Sequence, residues 1–317
     1  MRGFDPKFKG FPQYILGVTQ EIWDERGLGA KIDTYYDADV ILRSPGGVVT
    51  GAAAKTAAAL AVLVDFPDRT MLGEDVIWSG DTDAGMLASH RVLSTATYSG
   101  AGGFGATGGL PVTFRTVSES FAIENKIQEE WLIRDTGAIL RQLGLEPRAW
   151  VQAQLGADGA PPPTNAVEPK ARYAGRGNDN EWGARLAHLL QRILGSDLSA
   201  VSGEYDPACH LEYTGGLTGH GHASAARFWL GLRAAFPSAK LTVQHQIGRE
   251  DPMMPPRAAV RWVLEGRHDG PGAFGAATGA EVRIMGITHA EFGRRGLRRE
   301  YTLFDETSVW RQILRAG

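Results

Sequence analysis

Proton transfer near neutral pH falls to histidines, and to carboxylates whose pKa has been moved by their surroundings. The chain carries eight histidines, and six of them (His210, His220, His222, His245, His268 and His289) lie after residue 209. His210 sits in the short run Cys209 to Tyr213, and His220 and His222 flank Gly221 where a helical pattern begins. A histidine in such a place serves as an acid/base group at a pocket mouth, as a metal ligand, or as a cap at a helix start. Structural zinc sites use four ligands and catalytic ones three. His220-Gly221-His222 fixes no third partner, so no metal is expected. In the first half the pocket candidates are Arg43, Trp78, His90, Arg91 and Tyr98. His90 and Arg91 are neighbours, so on a strand they face opposite sides and one alone points inward. Arg91 recurs as Arg261, each followed by an apolar residue. A polar residue recurring in one strand marks either an interior or an outward position; the interior reading puts Arg91 and Arg261 in a pocket. The glycine-rich stretch Gly100 to Gly109 lacks the Gly-Lys-Ser/Thr ending of a phosphate loop and reads as a hairpin connection.

These groups are placed by a chain that repeats itself. Tyr36-Asp37 leads to Gly46-Gly47, and Tyr205-Asp206 leads to Gly215-Gly216. Phe66-Pro67 matches Phe236-Pro237, and Phe104-Gly105 with Thr107-Gly108 matches Phe274-Gly275 with Thr278-Gly279. The copies close alike, Asp135 to Leu143 and Asp305 to Leu314, at an offset of about 170 residues. We therefore expect two domains, 11–145 and 181–317. The stretch 146–180, which holds Pro161-Pro162-Pro163, reads as a partly extended linker in which Trp150 and Tyr173 dock on a domain surface.

Each copy opens with helical spacing: Ile15, Val18, Ile22, Trp23, and then Trp182, Leu186, Leu189, Leu190, Ile193. A short strand, a Gly-Gly turn and a second helix (52–63 and 223–236) follow. Strands are expected at 76–78, 88–97, 113–122 and 126–133, and at 241–247, 258–266, 281–291 and 297–303, before a terminal helix. Helices first and antiparallel strands after them predict an α+β layer fold.

Composition removes several function classes. The 317 residues carry 33 basic and 36 acidic side chains, a formal net charge of −3, and 43% are hydrophobic. The densest basic cluster, Arg294, Arg295, Arg298 and Arg299, reads as a solvated hairpin, so no nucleic-acid partner is expected. No apolar run approaches the roughly 18 residues of a spanning helix, and the N-terminus lacks the apolar core of a signal peptide. A cytoplasmic protein with no membrane partner is the expectation. One cysteine, Cys209, excludes an intrachain disulfide.

The closing segment Asn125-Lys126-Ile127-Gln128-Glu129-Glu130-Trp131, then Asp135 and Leu140-Arg141-Gln142-Leu143-Gly144, resembles the SnoaL-like polyketide cyclases of the nuclear transport factor 2-like superfamily. Gly266-Arg267-His268-Asp269-Gly270 with Phe274-Gly275 and Thr278-Gly279 is similar to that family's hairpin. The resemblance implies two tandem cone-shaped, cystatin-like α+β domains, each with helices packed on a curved, mostly antiparallel sheet. It implies a cofactor-independent aldol ring closure, with an aspartate near the end of the last strand as acid/base and a histidine assisting from the neighbouring strand. Those positions fall on Leu132 and Thr302, and on Ser118 and Thr288, none of which can take that role. Strand alternation puts Glu130 on the face of Leu132 and Glu300 on the face of Thr302, unless each is a solvent-facing or ion-paired strand glutamate. The expected catalytic set is Glu300, His210 and His222, in the histidine-rich second copy, and Glu130 in the first. Arg43, Trp78, Arg91, Ser118, Leu132, Tyr213, His220, Arg261, Thr288 and Thr302 are expected to line pockets. The function implied is acid/base catalysis on a small carbonyl compound; the alternative is a non-catalytic module that binds a small apolar ligand or mediates assembly. Related single domains pair through their sheets, so an intrachain pseudo-dimer or a homodimer is expected.

Overall fold

The computed structural model describes residues 1–158 and 169–316. The triple proline at 161–163 lies outside the described residues. Of the rest, Met1–Arg134, Ala138–Leu145 and 169–175 form one compact unit, and Asp135–Gly137, 146–158 and 176–316 form the other.

In the first unit, α1 (Phe11–Thr19) runs into a π-helical turn at Gln20–Asp24 and is followed by α2 (Ala30–Tyr35), β1 (Tyr36–Ser44), β2 (Gly47–Thr50) and α3 (Ala52–Asp65). Four long strands complete it: β3 (Thr70–Asp81), β4 (Gly85–Thr97), β5 (Pro111–Ile123) and β6 (Lys126–Arg134). The sheet order is β2-β1-β6-β5-β4-β3, antiparallel except for the parallel β1–β6 pair. The chain then forms α4 (Thr136–Gln142) and α5 (Pro147–Asp158).

The second unit repeats the plan with α6 (Glu181–Leu194), α7 (Ser199–Glu204), β7 (Tyr205–Tyr213), β8 (Leu217–His220) and α8 (Gly221–Ala235). Strands β9 (Lys240–Arg249), β10 (Arg257–Arg267), β11 (Glu281–Gly293) and β12 (Gly296–Phe304) and helix α9 (Glu306–Arg315) follow. The sheet order, β8-β7-β12-β11-β10-β9, matches the first. Each unit is thus the expected α+β cone.

Local chemistry accounts for the element ends. The Asn180 side chain caps α6 by accepting from the Trp182 N–H at 3.0 Å, and Asp305 caps α9 by accepting from the Thr307 N–H at 2.9 Å. The α6 stripe read from the sequence, Leu186, Leu189, Leu190 and Ile193, is buried in the second unit's core.

The region 146–180 is less linker-like than the sequence reading holds. Residues 147–158 are helical because Pro147 starts the first turn without needing an N–H partner, and Val151 is buried in the second unit's core with Trp150 and Leu155 against it. Farther on, the Arg172 and Tyr173 N–H groups donate to Glu129 Oε2 at 2.8 and 2.9 Å. The Tyr173 ring lies 5.0 Å from that of Phe121, which ties this stretch to the first sheet.

Candidate functional site

Three cross-strand rows of side chains floor the first cone. Ala88 pairs with Ser120 and Ser120 with Glu130; His90 with Ser118 and Ser118 with Leu132; Val92 with Thr116 and Thr116 with Arg134. Over these rows lie Ile15, Val18, Ile22 and Trp23 from α1 and its π turn, and Lys55, Ala58, Ala59 and Val62 from α3. They enclose a cavity of about 190 Å³, whose lining also includes Arg43, Ser44 and Arg69.

The cavity lining mixes apolar side chains with polar ones, several of them in defined pairings. The Lys55 ammonium is ion-paired with Glu130 Oε2, both side chains being almost wholly buried. Lys55 also sits 4.9 Å from the centre of the Tyr36 ring. Burial, and then the charge of Glu130, push the Tyr36 phenol well above its ordinary pKa, so it stays protonated and can donate. His90 is only 3% exposed, and its Nε2 has no hydrogen-bond partner. Burial, reinforced by the neighbouring Arg91 charge, lowers its pKa to about 4. The imidazole is therefore in its free-base form at neutral pH. Thr116 Oγ1 is a second buried polar atom without a partner. Since nearly all buried polar atoms in folded proteins are paired, two orphans in one cavity mark a place where something else supplies the bond.

The second cone has the same framework, with bulkier side chains at several positions that line the cavity in the first. Offsets of 169 and 170 residues place Phe228 where the first unit has Ala58, Trp229 at Ala59, Trp262 at Val92 and Tyr213 at Ser44. Trp229 and Trp262 are fully buried, and Tyr213 and Phe228 stack face to face with centroids 3.7 Å apart. Gly286 replaces Thr116 directly across from Trp262. A Cβ on Gly286 would come within 2.1 Å of the Trp262 ring, so the glycine is what admits the indole.

Glu300 lies inside this packing as the acceptor for two chains of donors. The Trp262 indole N–H donates to Thr288 Oγ1 at 3.1 Å. An indole can only donate. The direction is then carried from Thr288 to Thr302 at 3.0 Å and from Thr302 to Glu300 Oε1 at 2.6 Å. The Trp229 indole donates to the Tyr205 hydroxyl, and the hydroxyls of Tyr205 and Tyr213 both donate to Glu300 Oε2, at 2.8 and 2.9 Å. Burial raises the Glu300 pKa, and these hydroxyl donors oppose the rise. Three protein hydroxyls thus donate to the two oxygens of this group.

The expected site residues divide accordingly. Glu130, Ser118, Leu132 and Arg43 line the first cavity. Arg43 spends its charge on Glu129, with Nε 2.6 Å from Oε1. Arg91 does not line it: the inward partner of that adjacent pair is His90, and Arg91 Nε lies 3.0 Å from Glu74 Oε2 on the opposite face of β4. Trp78 packs against Phe11 instead, ring centroids 5.8 Å apart, outside the cavity lining. In the second unit Tyr213, Thr288, Thr302 and Glu300 meet, but within packed core. Arg261 shares its strand parity with Arg91, opposite to Trp262.

The histidines do not converge on Glu300. Leu211, not His210, lies across from Glu300 in the β7–β12 register. His210 points away, with Nδ1 3.1 Å from His220 Nε2 and Nε2 2.8 Å from Glu212 Oε1. His222 Nε2 donates to the Tyr205 carbonyl at 2.9 Å. Among the described residues no group of three or more His, Cys, Asp or Glu side chains is arranged to hold a metal ion. Several cavity residues escaped the sequence reading, among them Tyr36, Lys55, Arg69, Thr116 and Arg134. The signal for Lys55 was its i, i+4, i+7 spacing with Ala59 and Val62 on the buried side of α3.

Among solved structures, AclR from Streptomyces galilaeus shares 21% identity over 42% of this chain and 94% of its own, with a TM-score of 0.36. IdmH from Streptomyces antibioticus shares 20% identity over 43% of this chain and 100% of its own, with a TM-score of 0.38. No curated protein matches the chain. Among the described residues no helix is long and apolar enough to cross a membrane. The sequence profile of the SnoaL-like polyketide cyclases matches twice, over residues 13–143 and 185–313, and the chain belongs to that family as two tandem copies of its domain.

Proposed function

We propose that the first unit binds a small, largely apolar carbonyl compound in its cavity and moves a proton on it, while the second unit is a filled, non-catalytic copy. The observation that carries this is His90 Nε2: buried, unpartnered and in the wall of a cavity of about 190 Å³. With its proton on Nδ1, the imidazole offers the Nε2 lone pair to a C–H proton next to the carbonyl. As that bond breaks, its electron pair moves into the C–C bond and the carbonyl oxygen becomes an enolate. The Lys55 ammonium and the Tyr36 hydroxyl are the donors available to that oxygen. Such donors act strongly because the surrounding walls exclude water. The imidazolium then returns the proton to carbon or oxygen. Glu130 holds Lys55 in place and balances its charge, a positioning task and not proton transfer. Leu132 supplies apolar wall at the place where the family resemblance put an acidic group.

The test is α-proton exchange. The full chain is incubated in D₂O with a panel of small ketones and 1,3-diketones, and loss of the α-proton signal is followed by ¹H NMR. Exchange should exceed the buffer rate and fall at least 100-fold in His90→Gln, the usual scale for a positioned base being about 10²–10⁴. Glu300→Gln should exchange at the wild-type rate. Equal rates in wild type and His90→Gln would end the proposal.

A further inference from the structure

The proposed carbonyl chemistry leaves one strongly charged group in the cavity without a task. Arg69 is only 4% exposed and lies in the cavity wall. Its side chain makes one hydrogen bond, Nε to Ser94 Oγ at 3.1 Å, and rests against two rings, 5.0 Å from the Trp23 centroid and 5.6 Å from that of Phe114. Among the described residues no carboxylate is ion-paired with it. Lys55 is ion-paired with Glu130 and Arg43 with Glu129; Arg69 has no such pair among the described residues, and the charge of Asp24 acts on it only from beyond ion-pair distance. Burial, and then the like charge of Arg134, pull its pKa down to about 9, so it is still a cation at neutral pH. Thr116, whose hydroxyl has no partner, stands across from Arg134 in the β5–β6 register.

A buried guanidinium whose direct contacts are one hydroxyl and two aromatic rings, with its nearest carboxylate influence beyond ion-pair distance, is a costly arrangement unless an anion completes it. Its planar fork of donors matches a carboxylate. The second unit supports the same assignment by contrast. Ala239, Gly286 and Phe304 stand in place of Arg69, Thr116 and Arg134, so all three polar groups are gone from the copy whose cone is filled. We propose that Arg69, with Thr116 and the nearby Arg134, forms a carboxylate subsite, and that the ligand of the first cone is a carbonyl compound that also carries a carboxylate. This rests on the reading of the cavity as a carbonyl-binding site.

Isothermal titration calorimetry of the full chain with acetoacetate and with benzoylacetate, each against its neutral amide, tests this. The carboxylates should bind at least tenfold tighter than the amides. Arg69→Met should abolish that preference while raising the melting temperature, because an unpaired buried charge has been removed. Thr116→Val, a near-isosteric change, should reduce the preference several-fold and serves if Arg69→Met does not fold. Equal affinity for acid and amide, no binding of either, or a preference untouched by Arg69→Met or Thr116→Val would overturn the subsite. Equal affinity combined with intact α-proton exchange of neutral ketones would remove the subsite alone. Absence of both binding and exchange would remove the carbonyl chemistry with it.

Discussion

Burying a neutral histidine leaves a signature in the pH dependence of stability. The unfolded chain should protonate His90 near the ordinary 6.5, while the folded protein resists until about pH 4. Above pH 6.5 the residue is neutral in both states and contributes no pH dependence. Below it the unfolded state takes up a proton that the folded state refuses, so stability falls as pH falls, by about 1.4 kcal/mol per unit. By pH 4 the accumulated loss is about 3 kcal/mol, and it levels off below. The control is His90→Val, chosen because Val260 fills the equivalent place in the second unit. Urea denaturation of both proteins at pH 7 and pH 4.5, read on the transition of the first unit, should show the wild type losing about 2–3 kcal/mol more than the variant. A ¹³C- or ¹H-detected titration of the His90 ring gives the folded pKa directly. Titration near 6.5, or parallel stability losses in wild type and variant, would refute the claim that this ring is buried and unpartnered.

Porting the plug of the second cone into the first gives another check. Val92→Trp with Thr116→Gly recreates the Trp262–Gly286 pair; it should leave the circular dichroism spectrum unchanged and abolish ligand binding by calorimetry, whereas Val92→Trp alone should cost about 1–3 kcal/mol in chemical denaturation through overpacking. In the second unit, Glu300→Ala strands the hydroxyls of Tyr205, Tyr213 and Thr302 in a dry interior and should destabilise by at least about 3 kcal/mol. Glu300→Gln keeps an acceptor and the shape, and should cost less in the same denaturation assay. Neither change should alter activity in the first cone.

The architecture was legible because duplication prints the same landmarks twice, and because the helical stripes and strand runs are long. The cavity was harder to read, and β4 shows why. All residues from Gly85 to Val92 are buried, since both faces of that strand are covered, so polarity does not alternate along it. The choice between His90 and Arg91 then depends on what lies across from each. Glu74 takes Arg91 on one face, and Ser118 faces His90 on the other. Lys55 was hidden differently: one lysine among alanines reads as a solvated helix position, and its burial depends on Glu130, 75 residues away. The concentration of histidines in the second half favoured that copy because residue types along a sequence carry no measure of the volume around them. Side chains able to move protons matter only where space remains for a substrate, and Phe228, Trp229 and Trp262 take that space.

A carboxylate persists at one strand position in two units whose surroundings differ. Glu130 and Glu300 occupy matching places on β6 and β12, each beside a matching tyrosine, Tyr36 or Tyr205. A buried carboxylate demands compensation in either cone. In the first the compensation is a cation, Lys55, which leaves the neighbouring volume open and keeps a donor within the cavity. In the second the lysine position is Ala225, and the charge is met by three hydroxyls, two of which, those of Tyr205 and Thr302, lie on donor chains that start at an indole. Filling the cone and saturating the carboxylate are thus one change: Trp229 and Trp262 both occupy the space and begin the donor chains that end on Glu300. Neither indole could be trimmed without reopening a void and releasing a donor chain together. Packing and hydrogen bonding in the second cone are thus coupled requirements, which Ala59, Val92 and Lys55 do not impose on the first.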